Sequence, residues 1–427
     1  MESFSVMALV FVLALITRFP IAIAIAFGLA AALLRDGVPL EFIAQMAFAG
    51  LDNFTFLAIP MFILTGYLME TGGLSQRLVN FASSIVGNIT GGLGIVTVVA
   101  CMFFAAISGS SPATVAAIGS MMIPSMIRRG YDPHFAGAIT ASSGSLGILI
   151  PPSIPMVVYA VTAEVSIGEM FTAGFVPGFL VGLGLVVVVY FSAKRRGYKS
   201  SEAAFNARNV LKTGKEAVWA LLTPVIILGG IYSGKFTPTE AAVVSVLYAT
   251  VVGLFIHREL TLKDLPKAIV NATLTSGSVL IILSFAAAFA RYITLQQVPN
   301  MIAGFILSHT MDATVFLMVF VVLVFITGMF LETGAQILIY TPLFLPVLHQ
   351  LGISPIHFGI ILIVGTELGL LTPPVGINLF VTQSLTGSSL FQITRAVLPF
   401  LASMLLCQLI LVFCPWLVTF LPDLVYR

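Results

Sequence analysis

Charge is what this chain has least of. Of its 427 residues only 8% are Asp, Glu, Lys or Arg, while 59% are hydrophobic. A soluble domain carries about 25% charged residues. So little polar surface cannot cover a body in water, and the solvent must be lipid. The net charge of +2 argues against a nucleic-acid partner. The three cysteines, Cys101, Cys407 and Cys414, sit in apolar stretches without a CxxC pattern, so they read as small core residues and not as a disulfide or metal framework. Five scattered histidines (His134, His257, His309, His349 and His357) form no HExxH, and GxSxG and Walker sequences are also missing. This excludes the common hydrolytic and ATP-driven chemistries, so the chain reads as no enzyme, and energy must come from an ion gradient or a partner. Met1-Glu2-Ser3-Phe4 lacks a basic n-region, which predicts an uncleaved first helix.

What is present is apolar sequence, in stretches near the roughly 20 residues that span a bilayer. They lie at 6–34, 54–69, 92–107, 134–161, 171–191, 217–232, 238–256, 270–290, 313–331, 357–382 and 396–421. The fold class predicted is an all-α polytopic membrane protein of about eleven crossings plus re-entrant pieces. Its one polar linker, 192–216, carries Lys194, Arg195, Arg196, Lys199, Arg208, Lys212 and Lys215 against Glu202 and Glu216. The positive-inside rule places it in the cytoplasm, together with the loop 257–267. Between them 217–232 and 238–256 fit as an out-and-back pair.

Residues 103–179 recur at 325–401 without a gap, at an offset of 222 (373 less 151). Gly147-Ile-Leu-Ile-Pro151-Pro152-Ser153 becomes Gly369-Leu-Leu-Thr-Pro373-Pro374-Val375. Repeated, broken apolar helices point to a transporter's binding site. Arg128-Arg129 precede the first break, whereas the equivalent Gln350 region is uncharged, as an inverted repeat predicts if 270–308 crosses once. If 296–308 spans separately, the repeats are parallel. Each break follows a re-entrant hairpin, with tips at Ser108–Pro112 and Leu331–Gly334. The organisation is then scaffold helices 1–91, first repeat 92–191, linker 192–216, scaffold 217–311 and second repeat 312–427.

Proline cannot bond the carbonyl four residues back. Pro151 and Pro152 therefore free the carbonyls of Gly147 and Ile148, and Pro373 and Pro374 those of Gly369 and Leu370. Bare carbonyls in an apolar medium are costly. Either neighbouring hydroxyls or water satisfy them, or a hard cation does. The duplication of break and facing tip favours sodium. Ser108 and Ser110 add oxygens to the first site, and Glu332, opposite Ser110 in the alignment, to the second, flanked by Thr366 and Thr372. An intramembrane carboxylate is a functional candidate, although Glu332 also suits a hydrogen bond across its hairpin. Glu70, in a similar Thr-Gly-x-x-x-Glu-Thr-Gly stretch at 65–72, reads as chance or helix-end chemistry. Ser111, Thr114, Ser145, Ser153, Thr333, Gln336 and Asn378 are candidates to hold an organic solute, or else helix-packing glue. Arg291 could pair with a solute carboxylate but better fits a snorkelling role. A passive channel or a membrane-embedded enzyme is the rival reading, and the missing acidic, His or Cys cluster speaks against the enzyme.

Ser108-Gly-Ser-Ser-Pro-Ala-Thr-Val-Ala-Ala-Ile-Gly119, the Gly147–Ser153 run and Thr372-Pro-Pro-Val-Gly-Ile-Asn378 resemble the large membrane (M, DctM-like) subunit of tripartite ATP-independent periplasmic (TRAP) transporters, over essentially the whole chain. The overall look resembles the sialic-acid branch. The resemblance implies a sodium-driven, elevator-type importer of an organic acid, such as sialic acid or a C4-dicarboxylate, in a bacterial inner membrane. It implies a small four-helix Q subunit and a periplasmic P protein as partners, with no cofactor besides sodium. Carried onto this chain, one sodium site would use Ser108, Ser110, Gly147, Ile150 and Pro152. The second would use Gly328, Glu332, Thr366, Gly369, Thr372 and Pro374. The nearest alternative is an autonomous sodium-coupled carrier.

Overall fold

A computed structural model describes residues 2–17, 19–87, 89–198, 206–309 and 312–426. Helices account for nearly all of them, and no strand occurs among the described residues. The first group is α1 (Glu2–Ile16), α2 (Ile21–Asp36), α3 (Glu41–Leu51), α4 (Ala58–Thr71) and α5 (Leu74–Val86). The apolar segment 6–34 is thus two helices, not one. Pro20 lacks an N–H and disfavours helical backbone before it, so the chain turns there and α1 packs back on α2.

The first repeat follows as α6 (Gly92–Ser108), α7 (Ser111–Arg128), α8 (Pro133–Gly144), α9 (Leu146–Leu149), α10 (Ile154–Thr162) and α11 (Ile167–Arg196). Next come α12 (Ala207–Tyr232), α13 (Pro238–Val251), α14 (Asp264–Leu295) and α15 (Val298–His309). The second repeat is α16 (Ala313–Gly328), α17 (Thr333–Leu351), α18 (Pro355–Leu370), α19 (Ile377–Thr386) and α20 (Leu390–Phe413), before α21 (Trp416–Tyr426). By length and apolarity six helical stretches could each cross a membrane, α11, α12, α14 and α20 among them. The α8–α9 and α10 pair makes a seventh, bent by 42° at its break. The segment read at 396–421 is also two helices, parted at Cys414-Pro415. Cys414 is exposed at that joint, so only Cys101 and Cys407 are core residues.

The polar linker is shorter than 192–216. Lys194, Arg195 and Arg196 form the last turn of α11, and α12 begins at Ala207; 199–205 lie outside the described residues. Basic side chains in a last turn complement the negative end of the helix, which is why the helix runs on into the charged stretch. Residues 264–295 are one helix of 32 residues, and the piece after it, α15, has only 12.

The offset of 222 reappears in the fold. α7 and α17 start at Ser111 and Thr333, α8 and α18 at Pro133 and Pro355. Both breaks hold a cis Pro-Pro bond. The repeats interlock: α10 packs on α17, while α19 packs on α7 and α8. Each half-helix following a break thus rests on the other repeat. This brings both hairpin tips and both breaks to one place.

Candidate functional site

The first tip is tighter than Ser108–Pro112. Ser108 closes α6, Ser111 opens α7, and only Gly109 and Ser110 lie between. Gly109 takes φ +57°, a conformation that favours glycine. Its carbonyl accepts from the Ile154 N–H just beyond the break, at 3.2 Å. Ser108 Oγ lies 2.6 Å from Thr114 Oγ1, and Thr114 Oγ1 donates to Ser110 O at 2.8 Å. Gly147 sits so close that a Cβ there would be 2.5 Å from Ser110 O and from Thr114 Oγ1. Pro152 O would lie 3.1 Å from a Cβ on Gly109. Ser108, Ser110, Gly147 and Pro152 therefore meet, with Thr114 as an added oxygen donor. Ile150 is in the break, its N–H on Leu146 O at 3.1 Å and its side chain against Gly178 of α11.

The second tip is longer and two residues earlier than Leu331–Gly334. α16 stops at Gly328 and α17 starts at Thr333, leaving 329–332 outside both helices. Here the break is joined through Val375 N–H to Met329 O at 3.1 Å. Gly328 and Gly369 touch backbone to backbone: a Cβ on Gly369 would be 2.3 Å from the carbonyl carbon of Gly328. Thr366 O would be 3.2 Å from a Cβ on Gly328. Thr366 Oγ1 accepts from Thr333 at 3.2 Å. The carbonyl of Gly369, predicted to be free, accepts from Thr372 N–H at 2.9 Å, because the chain tightens by one three-residue turn before the prolines. Thr372 Oγ1 donates to Leu368 O at 2.8 Å. Pro374 is exposed, whereas Pro152 is buried. The two sites are therefore related in position but unequal in closure.

Between the tips is a cavity of about 310 Å³. Ser111, Thr333 and Glu332 line it. Thr114, Ser145, Ser153, Gln336 and Asn378 stand outside its lining. Gln336 instead braces the second tip, Nε2 donating to Leu331 O at 3.2 Å, and Ser153 caps α10 through Met156 N–H at 3.5 Å. Arg291 is exposed on α14 and absent from the lining. Glu70, read as chance or helix-end chemistry, stands in the last turn of α4 and lines the cavity. A further carboxylate, Glu367, was missed altogether. It is fully buried in α18 and lines the cavity. An acidic residue inside the apolar run 357–382 was the signal that could have found it.

Four helices aim their N-termini into this space: α7 by Ser111, α10 by Ile154, α17 by Thr333 and Gly334, and α19 by Ile377. Their N–H groups are not equally available. On α10, Ile154 is bonded to Gly109 O, Pro155 has no N–H, and Met156 is capped by Ser153. α17 and α19 have no side-chain cap, and Thr333, Gly334 and Ile377 N–H find no acceptor among the described residues. Such uncapped N-termini suit an anion. The three carboxylates nearby, with no Lys, Arg or His in the lining, suit cations beside it.

The chain matches the family described as "Tripartite ATP-independent periplasmic transporter, DctM component" over residues 6–417. It is 46% identical over 372 residues to the C4-dicarboxylate TRAP transporter large permease protein DctM of Pseudomonas aeruginosa, covering 87% of each chain. It is 44% identical to the isethionate TRAP transporter permease protein DctMQ of Oleidesulfovibrio alaskensis, covering 95% of this chain but 64% of that longer protein. To the sialic acid TRAP transporter large permease protein SiaM of Vibrio cholerae it is 39% identical, covering 96% of each. Among solved structures, the Alcanivorax borkumensis YdaH transporter shares the fold, with TM-score 0.66, 18% identity and 88% of both chains covered.

Proposed function

This chain belongs to the DctM component family of tripartite ATP-independent periplasmic transporters, and on that premise we propose that it is the sodium-coupled permease subunit for a small organic anion. Its partners are a small membrane subunit and a periplasmic binding protein, and its place is a bacterial inner membrane. The relatives named above are permeases for a C4-dicarboxylate, isethionate and sialic acid, so the solute class is an organic acid, with sialic acid one member of it.

The observation that carries this reading is the convergence of four helix N-termini and two tip-and-break pairs on one cavity. N-termini offer positive potential to the solute's acid group. Tip hydroxyls and break carbonyls offer oxygen to sodium, which in turn offsets the solute's charge. The cavity wall is shared by two bodies. α4 and α14 supply Ile63, Gly66, Tyr67, Glu70, Thr275 and Val279, and the hairpins and broken helices supply the rest. Gly66 meets Ser108 Cα only at 3.7 Å from its would-be Cβ, an ordinary contact and not an interlock. In the proposed cycle the hairpins and broken helices move as a block past α4 and α14.

Uptake by proteoliposomes holding the chain and its partners should follow an imposed sodium gradient, and a passive channel would ignore it. Ser108→Ala combined with Ser110→Ala should raise the sodium concentration for half-activation about ten-fold, since a lost oxygen ligand costs on the order of 1–3 kcal/mol. Unchanged sodium activation in that double variant refutes the first ion site.

The repeats are proposed to cross the membrane in opposite senses. Single cysteines at the exposed positions 129 and 350 should then react with an impermeant maleimide from opposite sides of the membrane. Labelling of both from the same side would show a parallel repeat.

A further inference from the structure

We propose that Glu367 reads a hydrogen-bond donor on the solute, so that this site prefers an organic anion bearing a hydroxyl or ammonium group over one of equal charge without it. The inference rests on the reading of the cavity as the solute site. It begins with a satisfied half and an unsatisfied half of one side chain. Glu367 Oε2 accepts from Ser111 Oγ at 2.9 Å and from Asn378 Nδ2 at 3.4 Å, and Asn378 Nδ2 also donates to Ser111 Oγ at 2.7 Å. Oε1 is fully buried and has no donor. The Ser145 hydroxyl faces the same carboxyl without closing a bond to it. A buried acceptor left unmade is unfavourable by a full desolvation term. Glu367 belongs to the cavity lining but has no accessible surface in this closed arrangement, so a solute that displaces the side chains over it would bring the donor that the protein does not supply.

The internal repeat argues that this is no packing device. At the offset of 222, Glu367 corresponds to Ser145, Ser111 to Thr333 and Asn378 to Met156. The equivalent corner of the first repeat therefore has neither the carboxylate nor the amide. One fold position built twice, but with a carboxylate and an amide only once, marks a ligand that is itself asymmetric. The uncapped N-termini of α17 and α19 take the acid end, and Glu367 then faces the other end. A volume of about 310 Å³ equals roughly ten waters, room for a solute with functional groups at both ends.

The test is equilibrium binding to the full chain with its membrane partner in lipid nanodiscs at saturating sodium. The probes are two matched pairs, L-malate against succinate and isethionate against ethanesulfonate. In at least one pair the donor-bearing member should bind about 10- to 100-fold more tightly. Glu367→Gln should bring that ratio to one or below. The donors on Ser111 and Asn378 will hold the amide oxygen, turning its NH₂ toward the solute. The variant's melting midpoint should match the parent. Gly66→Trp, which fills the cavity from α4, is the second arm. If it leaves binding intact, or if neither pair binds at all, the cavity is not the solute site and both readings fall. If it abolishes binding but the parent shows no preference, or the preference survives Glu367→Gln, the cavity stands and the role of Glu367 is overturned. A loss of sodium activation in Glu367→Gln with an unchanged ratio would also overturn it, making the carboxylate an ion ligand.

Discussion

Gly369→Ala is expected to reduce sodium-driven uptake to under a tenth of the parent level. The added methyl would sit 2.3 Å from the Gly328 carbonyl carbon and 2.4 Å from its Cα. Both atoms are backbone, so neither can rotate aside, and the second break must separate from the tip it is meant to touch. Overpacking of this kind costs about 1–3 kcal/mol and occasionally more. The loss is local, because α16 and α18 remain packed along the rest of their length through Val324 and Gly365. Sodium-dependent thermal stabilisation should fall with uptake. Gly277→Ala is the control: no atom lies within 4 Å of that Cβ, and it should keep parental uptake. Equal losses in the two variants, or parental uptake in Gly369→Ala, would show that the Gly328–Gly369 contact does not shape the ion site.

Removal of the partners is expected to have the larger effect. Purified chain in vesicles, given sodium and solute alone, should accumulate nothing above empty vesicles, and adding both partners should restore concentrative uptake. The described residues are helices joined by short connections, and under the proposed function capture of dilute solute outside the membrane falls to the periplasmic partner. A block that slides needs a broad body to slide against. The relative named DctMQ is longer than this chain, which covers 64% of it. Robust uptake by the chain alone would replace the tripartite reading with that of an autonomous sodium-coupled carrier having the same ion sites.

The double prolines were legible because proline acts through covalent geometry. A missing N–H and a closed ring break a helix wherever they fall, so both breaks and their alignment could be placed from residue order. The tips were legible as small polar residues flanked by apolar limbs, but their lengths were not. Leu331–Gly334 became 329–332 because Thr333 could open α17, and nothing local to the chain fixes where α16 stops. Pro374 looked equivalent to Pro152, yet one is exposed and the other buried. The 6–34 segment was merged into one span because hydropathy averages over Pro20, although the same proline rule would have divided it.

Composition and order alone determined the solvent, the all-helical class, the duplicated halves, the two breaks and the residues Ser108, Ser110, Gly147 and Gly369 at their meeting points, while Gly328 came from the family resemblance. These follow from terms that act on each residue or its near neighbours: transfer into lipid, the missing proline N–H, the small size of glycine. Only the tertiary structure decided that Ser111, Glu367 and Asn378 form one network, that Glu70 shares a cavity with the first two, and that α17 and α19 keep free N–H groups while α10 does not. Ser111 and Glu367 are 256 positions apart. Their meeting depends on the interlocking of two repeats, and side-chain hydrogen bonds over such separations have no periodic trace in the residue order.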